Sequence, residues 1–304
     1  MKNPIIIDTD PGVDDFLAIL FAIYAKLNIQ GIVTVYGNST IENTTKNALT
    51  ITQLLNSDIR VFQGASKPLI KNPIWAISHG KNGLGGFELS DLQLQKQKKN
   101  AISFYEEQLQ NNDKTDIVCI GPITNIAILF NLRPDLIQKV GKLIILGGVI
   151  GEEGNESPLA EFNTYNDPDA LKFVLDLNIE KVLIPANVCR KVMFKKEDFD
   201  SIADNKLTQD ILKIVNVFID YYQNDPEYGG FEGGVMYDLL TIGYLLKPQI
   251  YQTKNVYIDV ETSDCKSNGL TFIDSSKKPY CMLCTDIEAV QLKALFFETI
   301  NIKK

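Results

Sequence analysis

The chain has 304 residues, 45% of them hydrophobic, and a formal net charge of −8. That length allows one large domain or two small ones, with an ample core. The acidic balance argues against a binder of nucleic-acid backbones, which usually presents a clustered basic surface. No apolar run approaches the roughly 18–20 residues needed to span a bilayer, so no membrane association is expected. The opening "MKNPIIIDTD" meets a charge after three isoleucines, where a secretory signal needs an apolar core of roughly 7–15 residues. A cytoplasmic location is expected.

In chain order, "PIIID" predicts a strand, "DDFLAILFAIYAKL" a helix and "IQGIVTVYG" a second strand. "IENTTKNALTITQLLN" then reads as a helix, "IRVFQG" as a strand and "AISFYEEQLQN" as a helix. "TDIVCIG" is a strand and "NIAILFNL" a helix; "KLIILGG" and "KVLIPA" are strands on either side of the helix "DPDALKFVLDL". Continuously apolar strands separated by helices indicate βαβ units around an open, mostly parallel sheet with helices on both faces.

Beyond residue 190 the pattern changes. "DILKIVNVFIDYYQND" and "MYDLLTIGYLLK" read as helices, and "DIEAVQLKALFFETI" as a closing helix. "NVYIDVETS", "GLTFIDSS" and "PYCMLCTD" read as a small C-terminal antiparallel set. No Ser/Gly-rich linker or internal repeat interrupts the chain, so a single domain over 1–304 is expected. The basic stretch "LQKQKKN" is short and glutamine-rich, a solvated linker or helix start rather than a phosphate-contact patch.

Five cysteines, Cys119, Cys189, Cys265, Cys281 and Cys284, form an odd, scattered set that suits reduced thiols. Cys281 and Cys284 have CxxC spacing, but no second Cys pair or His lies nearby to complete a zinc site. They read as structural thiols.

In an open α/β sheet, ligands sit outside the carboxyl ends of the strands. That rule gathers the polar stretches onto one rim: Asp8, Asp10, Asp14 and Asp15 after the first strand, then Asn38, "GPITN", "GGVIGEEGNESPLAEFN" and "NVCRK". Asp14 and Asp15 fall in the first turn of a helix, where the dipole favours negative charge, and capping needs one or two acids. Asp10 is then an extra acid, and Lys2 is the only cationic side chain before Lys26. Either the aspartates face water at a helix start or they hold an ion; an all-oxygen ligand set fits Ca²⁺ or Mg²⁺ rather than zinc. A Mg²⁺-dependent phosphatase also places an acidic DxD at a strand end, but no later strand end supplies a well-placed Lys. The rim instead carries Asn38, Asn125, Asn155, Glu161, Asn163 and Asp238, groups better suited to sugar hydroxyls.

"DTDPGVDD", "VYGNST", "GPITNIA", "GNESPLAEFNTYNDPDA" and the late "YDLLTI" together resemble the nucleoside hydrolase family, of the inosine–uridine-preferring type, in the right order over nearly the whole chain. The resemblance implies a Rossmann-like fold and hydrolysis of the N-glycosidic bond of ribonucleosides to base and ribose, in purine or pyrimidine salvage. It implies Ca²⁺ held by Asp10, Asp15, Asp238 and the backbone carbonyl of Thr124. A water at the ion would be deprotonated by Asp10, the catalytic base. Asp14, Asn155, Glu161, Asn163 and Asp238 fall on ribose-binding positions and Asn38 on a supporting one. A homo-oligomer, dimer or tetramer, is also implied.

One position departs from the family. Where many relatives carry a His that protonates the leaving purine, this chain has Tyr237, a weaker acid with an ordinary pKa near 10. The sole histidine, His79, matches a pocket-loop histidine. His79, Tyr228 and Tyr237 are therefore expected in the base pocket, with Tyr237 and His79 as candidate catalytic groups and a lean toward uridine or cytidine. "YYQNDPEYGGFEGG" resembles a flap over the base; Tyr222, Tyr228 and Phe231 stack on the base or anchor the flap, and Trp75 lines the mouth or anchors the surface. Cys189 stands where relatives often have Thr. A non-catalytic nucleoside-binding protein remains the alternative from another class.

Overall fold

A computed structural model describes residues 3–200, 202, 205–224 and 231–300. In chain order the first half contains β1 (Ile5–Thr9), α1 (Val13–Tyr24), β2 (Ile29–Thr34), α2 (Ile41–Leu54), β3 (Val61–Gln63), α3 (Ala101–Asn111), β4 (Thr115–Cys119), α4 (Thr124–Leu132) and β5 (Val140–Leu146). Then come α5 (Phe162–Asn166), α6 (Pro168–Asp176), β6 (Lys181–Ile184), α7 (Ala186–Cys189), β7 (Met193–Phe194), α8 (Lys206–Asn224), β8 (Gly234–Val235) and α9 (Leu239–Leu246). The chain closes with β9 (Tyr251–Val256), β10 (Ile258–Val260), β11 (Thr271–Ile273), β12 (Cys281–Ile287) and α10 (Ala289–Ile300).

Eight strands form one sheet in the order β3-β2-β1-β4-β5-β6-β12-β9. The first seven run parallel and β9 runs antiparallel to β12. All five residues of β1 are buried, and they alternate between two cores: Ile5 and Ile7 pack on one face, Ile6 on the other. Helices α1, α2, α8, α9 and α10 contribute to the first core, and α3, α4 and α6 to the second. The expected open parallel sheet covered on both faces is therefore present.

Helix α1 is buried from Val13 to Ala22, as a helix apolar on all sides must be. Helix α8 is amphipathic instead, burying Ile211, Ile214, Val215, Phe218, Ile219 and Tyr222 at the 3.6-residue period. That stripe brings Phe218 and Tyr222 toward the carboxyl end of the sheet.

The C-terminal strands depart from the sequence reading. "PYCMLCTD" does not join a separate antiparallel set; β12 enters the main sheet between β6 and β9. "NVYIDVETS" divides between the end of β9 and β10, and only β10 and β11 form a separate antiparallel pair there. Strand β9 escapes a periodicity search because Gln252 to Asn255 are exposed on a polar edge, with Lys254 blunting it. Residues three apart on a strand face opposite sides, so Cys281 lies in one core and Cys284 in the other, where they cannot share a metal.

Strand order reverses at β1, whose neighbours are β2 and β4. A crevice at the carboxyl ends of β1 and β4 follows from that switch point. Asp10 lies one residue beyond β1. No helix among the described residues is long and apolar enough to cross a membrane.

Candidate active site

The chain leaves β1 through Asp10, Pro11 and Gly12 into α1, and this turn places three acids, Asp10, Asp14 and Asp15, together with Asp238. Asp10 is 1% exposed; its Oδ2 accepts the Asn38 N–H at 2.7 Å, and its Oδ1 has no hydrogen-bond partner among the described residues. Two glycines make room for it. A Cβ on Gly37, whose φ is +152°, would lie 2.0 Å from Asp10 Oδ2, and one on Gly121 would lie 2.6 Å from Oδ1. Asp15 accepts the Gly12 N–H at 2.8 Å and the Asn38 Nδ2 at 3.0 Å through Oδ2, and the Thr9 hydroxyl through Oδ1. Asn38 thus ties Asp10 to Asp15.

Asp238, just before α9, brings a second chain segment to the same point. Ligand oxygens of Asp14, Asp15 and Asp238 lie within 4.8 Å of one another, and Asp238 Oδ1 also has no partner among the described residues. Burial, then mutual repulsion, pushes the carboxyl groups of Asp10, Asp14 and Asp238 well above the usual carboxylate range. Asp15 is raised by burial too, against the hydrogen bonds that Thr9 and Gly12 donate. Desolvated acids left without donors are expensive unless a cation joins them. An all-oxygen set of this kind fits a hard divalent cation.

Thr124 opens α4 and gives its hydroxyl to Asp167 Oδ2 at 2.6 Å, so a ligand at this position is left to its main-chain carbonyl. Asp167 was not singled out by the sequence. It is buried, caps α6 through the Ala170 N–H at 3.1 Å and takes the Leu69 N–H at 3.0 Å. The "DP" pair that opens α6 is the signal that finds it, since Pro at the first helical position follows a capping acid.

Above the floor lies a cavity of about 440 Å³, with Asp14, Asn38 and Asp238 in its wall. Asn155, Glu161 and Asn163 line one side. Glu161 caps α5 and is fixed by four donors: Oε1 accepts the N–H of Asn163 at 2.8 Å, and Oε2 accepts the N–H groups of Thr164 at 3.0 Å and Gly148 at 3.0 Å and the Thr164 hydroxyl at 3.0 Å. Asn163 Nδ2 donates to the Ile120 carbonyl at 3.1 Å, and Asn155 Oδ1 accepts the Phe162 N–H at 2.9 Å. Glu161 cannot swing away without breaking all four of its bonds.

The other end is aromatic. His79 is buried against Phe218, ring centroids 4.8 Å apart, and its Nδ1 accepts the Val13 N–H at 3.1 Å. The accepting Nδ1 puts the proton on Nε2. Burial lowers its pKa to about 3, so the 3.8 Å approach to Asp14 is not an ion pair. Tyr237, Tyr222, Phe231 and Trp75 complete this end; Tyr222 packs edge-on to Phe231 at 5.7 Å, and Trp75 edge-on to Tyr36 at 6.5 Å. Cys189 is buried, with its Sγ 3.7 Å from the Tyr237 carbonyl. Tyr228 lies outside the described residues.

The sequence assigned no role to Arg190, although "NVCRK" falls on the rim. In the structure Arg190 lines the cavity with Tyr222 and Tyr237 and donates from Nη1 to the Glu153 carbonyl at 2.6 Å.

A family described as inosine–uridine preferring nucleoside hydrolase matches residues 5–294. The chain belongs to this family. The Mg²⁺ phosphatase and the non-catalytic binder therefore give way to a nucleoside hydrolase. This hydrolase is 34% identical over 298 residues to the pyrimidine-specific ribonucleoside hydrolase RihA of Escherichia coli O1:K1, covering 95% of both chains. Among solved structures, a plant nucleoside hydrolase superposes with a TM-score of 0.91 at 25% identity over 99% of each chain. A purine-preferring ribonucleoside hydrolase from Gardnerella vaginalis superposes at 0.92 with 24% identity over 98% of each, which shows the shared fold.

Proposed function

We propose that the hydrolase splits pyrimidine ribonucleosides, uridine and cytidine, into base and ribose over a calcium ion at the cavity floor. The observation that carries the cation is the pair of partnerless buried oxygens, Asp10 Oδ1 and Asp238 Oδ1, beside Asp14 and Asp15. Asp10, Asp15, Asp238 and the Thr124 carbonyl would hold it. When bound, it supplies the positive charge that keeps these carboxylates ionised and favours an ionised nucleophile.

Asp10 takes the proton of the attacking water. Its carboxylate is held in place by the Asn38 N–H on Oδ2, the fixed orientation that a general base needs. Asp14, Asn155, Glu161, Asn163 and Asp238 bind the ribose hydroxyls. As the C1′–N bond opens, the sugar gains oxocarbenium character, and acids already fixed in place stabilise that charge without reorganising. His79, a neutral donor through Nε2, shares the base end with Tyr237.

The pyrimidine preference is supported by the likeness to the Escherichia coli enzyme and by Tyr237 itself. Burial raises the Tyr237 phenol above its ordinary value, which makes it a poor proton donor to a purine at neutral pH. Comparing kcat/KM for uridine, cytidine, inosine and adenosine tests the preference. One of the pyrimidine nucleosides is expected to exceed inosine by about tenfold or more, a margin typical of pocket discrimination. Inosine turned over as well as uridine and cytidine would overturn it.

A further inference from the structure

The acids of the floor account for the sugar and the water but leave the departing base without help. His79 is neutral, so it can give the base a hydrogen bond from Nε2 but no charge. In the cavity wall, among the described residues, Arg190 is the one lysine or arginine. A guanidinium keeps its charge at any working pH, so it is a fixed cation and not a proton donor.

Its placement is built from two chain segments. Arg190 follows α7, and the Cys189 Sγ lies 3.7 Å from the Tyr237 carbonyl, which holds the α7 turn against the segment leading to Asp238. The guanidinium is braced by the Glu153 carbonyl at 2.6 Å. Arg190, Tyr222 and Tyr237 line the same cavity, and the Arg190 charge acts on the Tyr237 phenol. A cation near a phenol polarises its O–H, which strengthens the bond that the O–H can give.

We propose that Arg190, acting on the Tyr237 hydroxyl in the same cavity wall, stabilises the negative charge on the departing base, so that the base leaves as an anion. This rests on the pyrimidine ribonucleoside reading above. The C1′–N1 bond breaks and its electron pair goes to the base, where it spreads over N1 and the ring carbonyl oxygens. The water oxygen bonds C1′ while its proton passes to Asp10, and the base anion takes a proton from solvent after release. Arg190 acts through Tyr237 and is a positioning residue. A pyrimidine with two ring carbonyls is the leaving group that this arrangement suits best.

The test separates charge stabilisation from a tether on the Glu153 loop. Arg190→Gln keeps a donor for the Glu153 carbonyl but loses the charge; Arg190→Lys keeps the charge. Each is assayed on uridine, 5-fluorouridine and p-nitrophenyl β-D-ribofuranoside, whose leaving groups need progressively less help. Arg190→Gln is expected to lose about 10²-fold in kcat/KM on uridine, the scale of one electrostatic donor, less on 5-fluorouridine and nearly nothing on the p-nitrophenyl riboside. Arg190→Lys is expected to recover part of the uridine loss. An equal loss on all three substrates, or no loss on uridine, would overturn the inference alone. Wild-type turnover of the p-nitrophenyl riboside with none of uridine or cytidine would overturn the pyrimidine reading, and the inference with it.

Discussion

Asp10→Asn is expected to lower kcat on uridine by about 10³-fold, within the range set by general-base catalysis. The substitution is nearly isosteric. The amide oxygen of Asn can still accept the Asn38 N–H that Asp10 Oδ2 accepts at 2.7 Å, so the turn between β1 and α1 keeps its anchor. What is lost is the oxygen that can take a proton, together with one of the negative charges at the floor. Because Asp10 is buried beside Asp14 and Asp15 and repelled by both, removing its charge relieves the cation-free protein. The variant should therefore melt no lower than wild type when measured in chelator. Steady-state kinetics and thermal melts on the same preparation check both halves. A kcat within tenfold of wild type would remove Asp10 from the base role.

The second large effect is on stability. Burial raises the folded-state pKa of Asp10, Asp14 and Asp238 well above the unfolded value of about 3.9, and that of Asp8 to about 7. Between the unfolded and folded values, the cation-free native protein holds more protons than the unfolded chain. Stability from these groups is thus fully present below about pH 4 and is lost as pH rises through the folded values. A divalent cation competes with those protons, so its stabilisation grows in the opposite direction. At about 100 times its Kd, a ligand contributes about 2.7 kcal/mol, which in a chain this long raises Tm by roughly 4 °C. Calcium is expected to give that increment near about pH 8 and little near about pH 5. Melts in calcium and in chelator across this range check it, and a Tm indifferent to calcium at about pH 8 would contradict the account.

Much of the fold was legible because parallel strands are buried on both faces. β1, β4, β5 and β6 announce themselves as apolar runs, and "AISFYEEQLQN" matches α3 residue for residue. β9 was not legible, since an edge strand with exposed Gln252 to Asn255 has no apolar period. β12 was read as a strand but given the wrong neighbours, because its alternating pattern does not say which edge of which sheet it joins.

The acids of the floor were legible for a different reason: Asp10, Asp14 and Asp15 lie within one turn of sequence, and like charge at that density asks for an explanation. Asp238 was legible as a polar group of the rim, but its place beside the ion came only through the family motif, since nothing local distinguishes it from a helix cap. Arg190 illustrates the limit. A single arginine on a rim carries no spacing signal, and its meaning depends on Tyr222 and Tyr237, brought to it by α8 and by the segment before α9. The state of His79 was also out of reach, because only the Val13 N–H on Nδ1 fixes its tautomer.

The most direct measurement is release of uracil and ribose from uridine by wild-type protein, first stripped with a chelator and then resupplied with calcium. The account predicts loss of turnover on stripping and its return with calcium, because it gives Asp10, Asp15 and Asp238 to a cation that the reaction needs. Undiminished turnover in the stripped protein would contradict it.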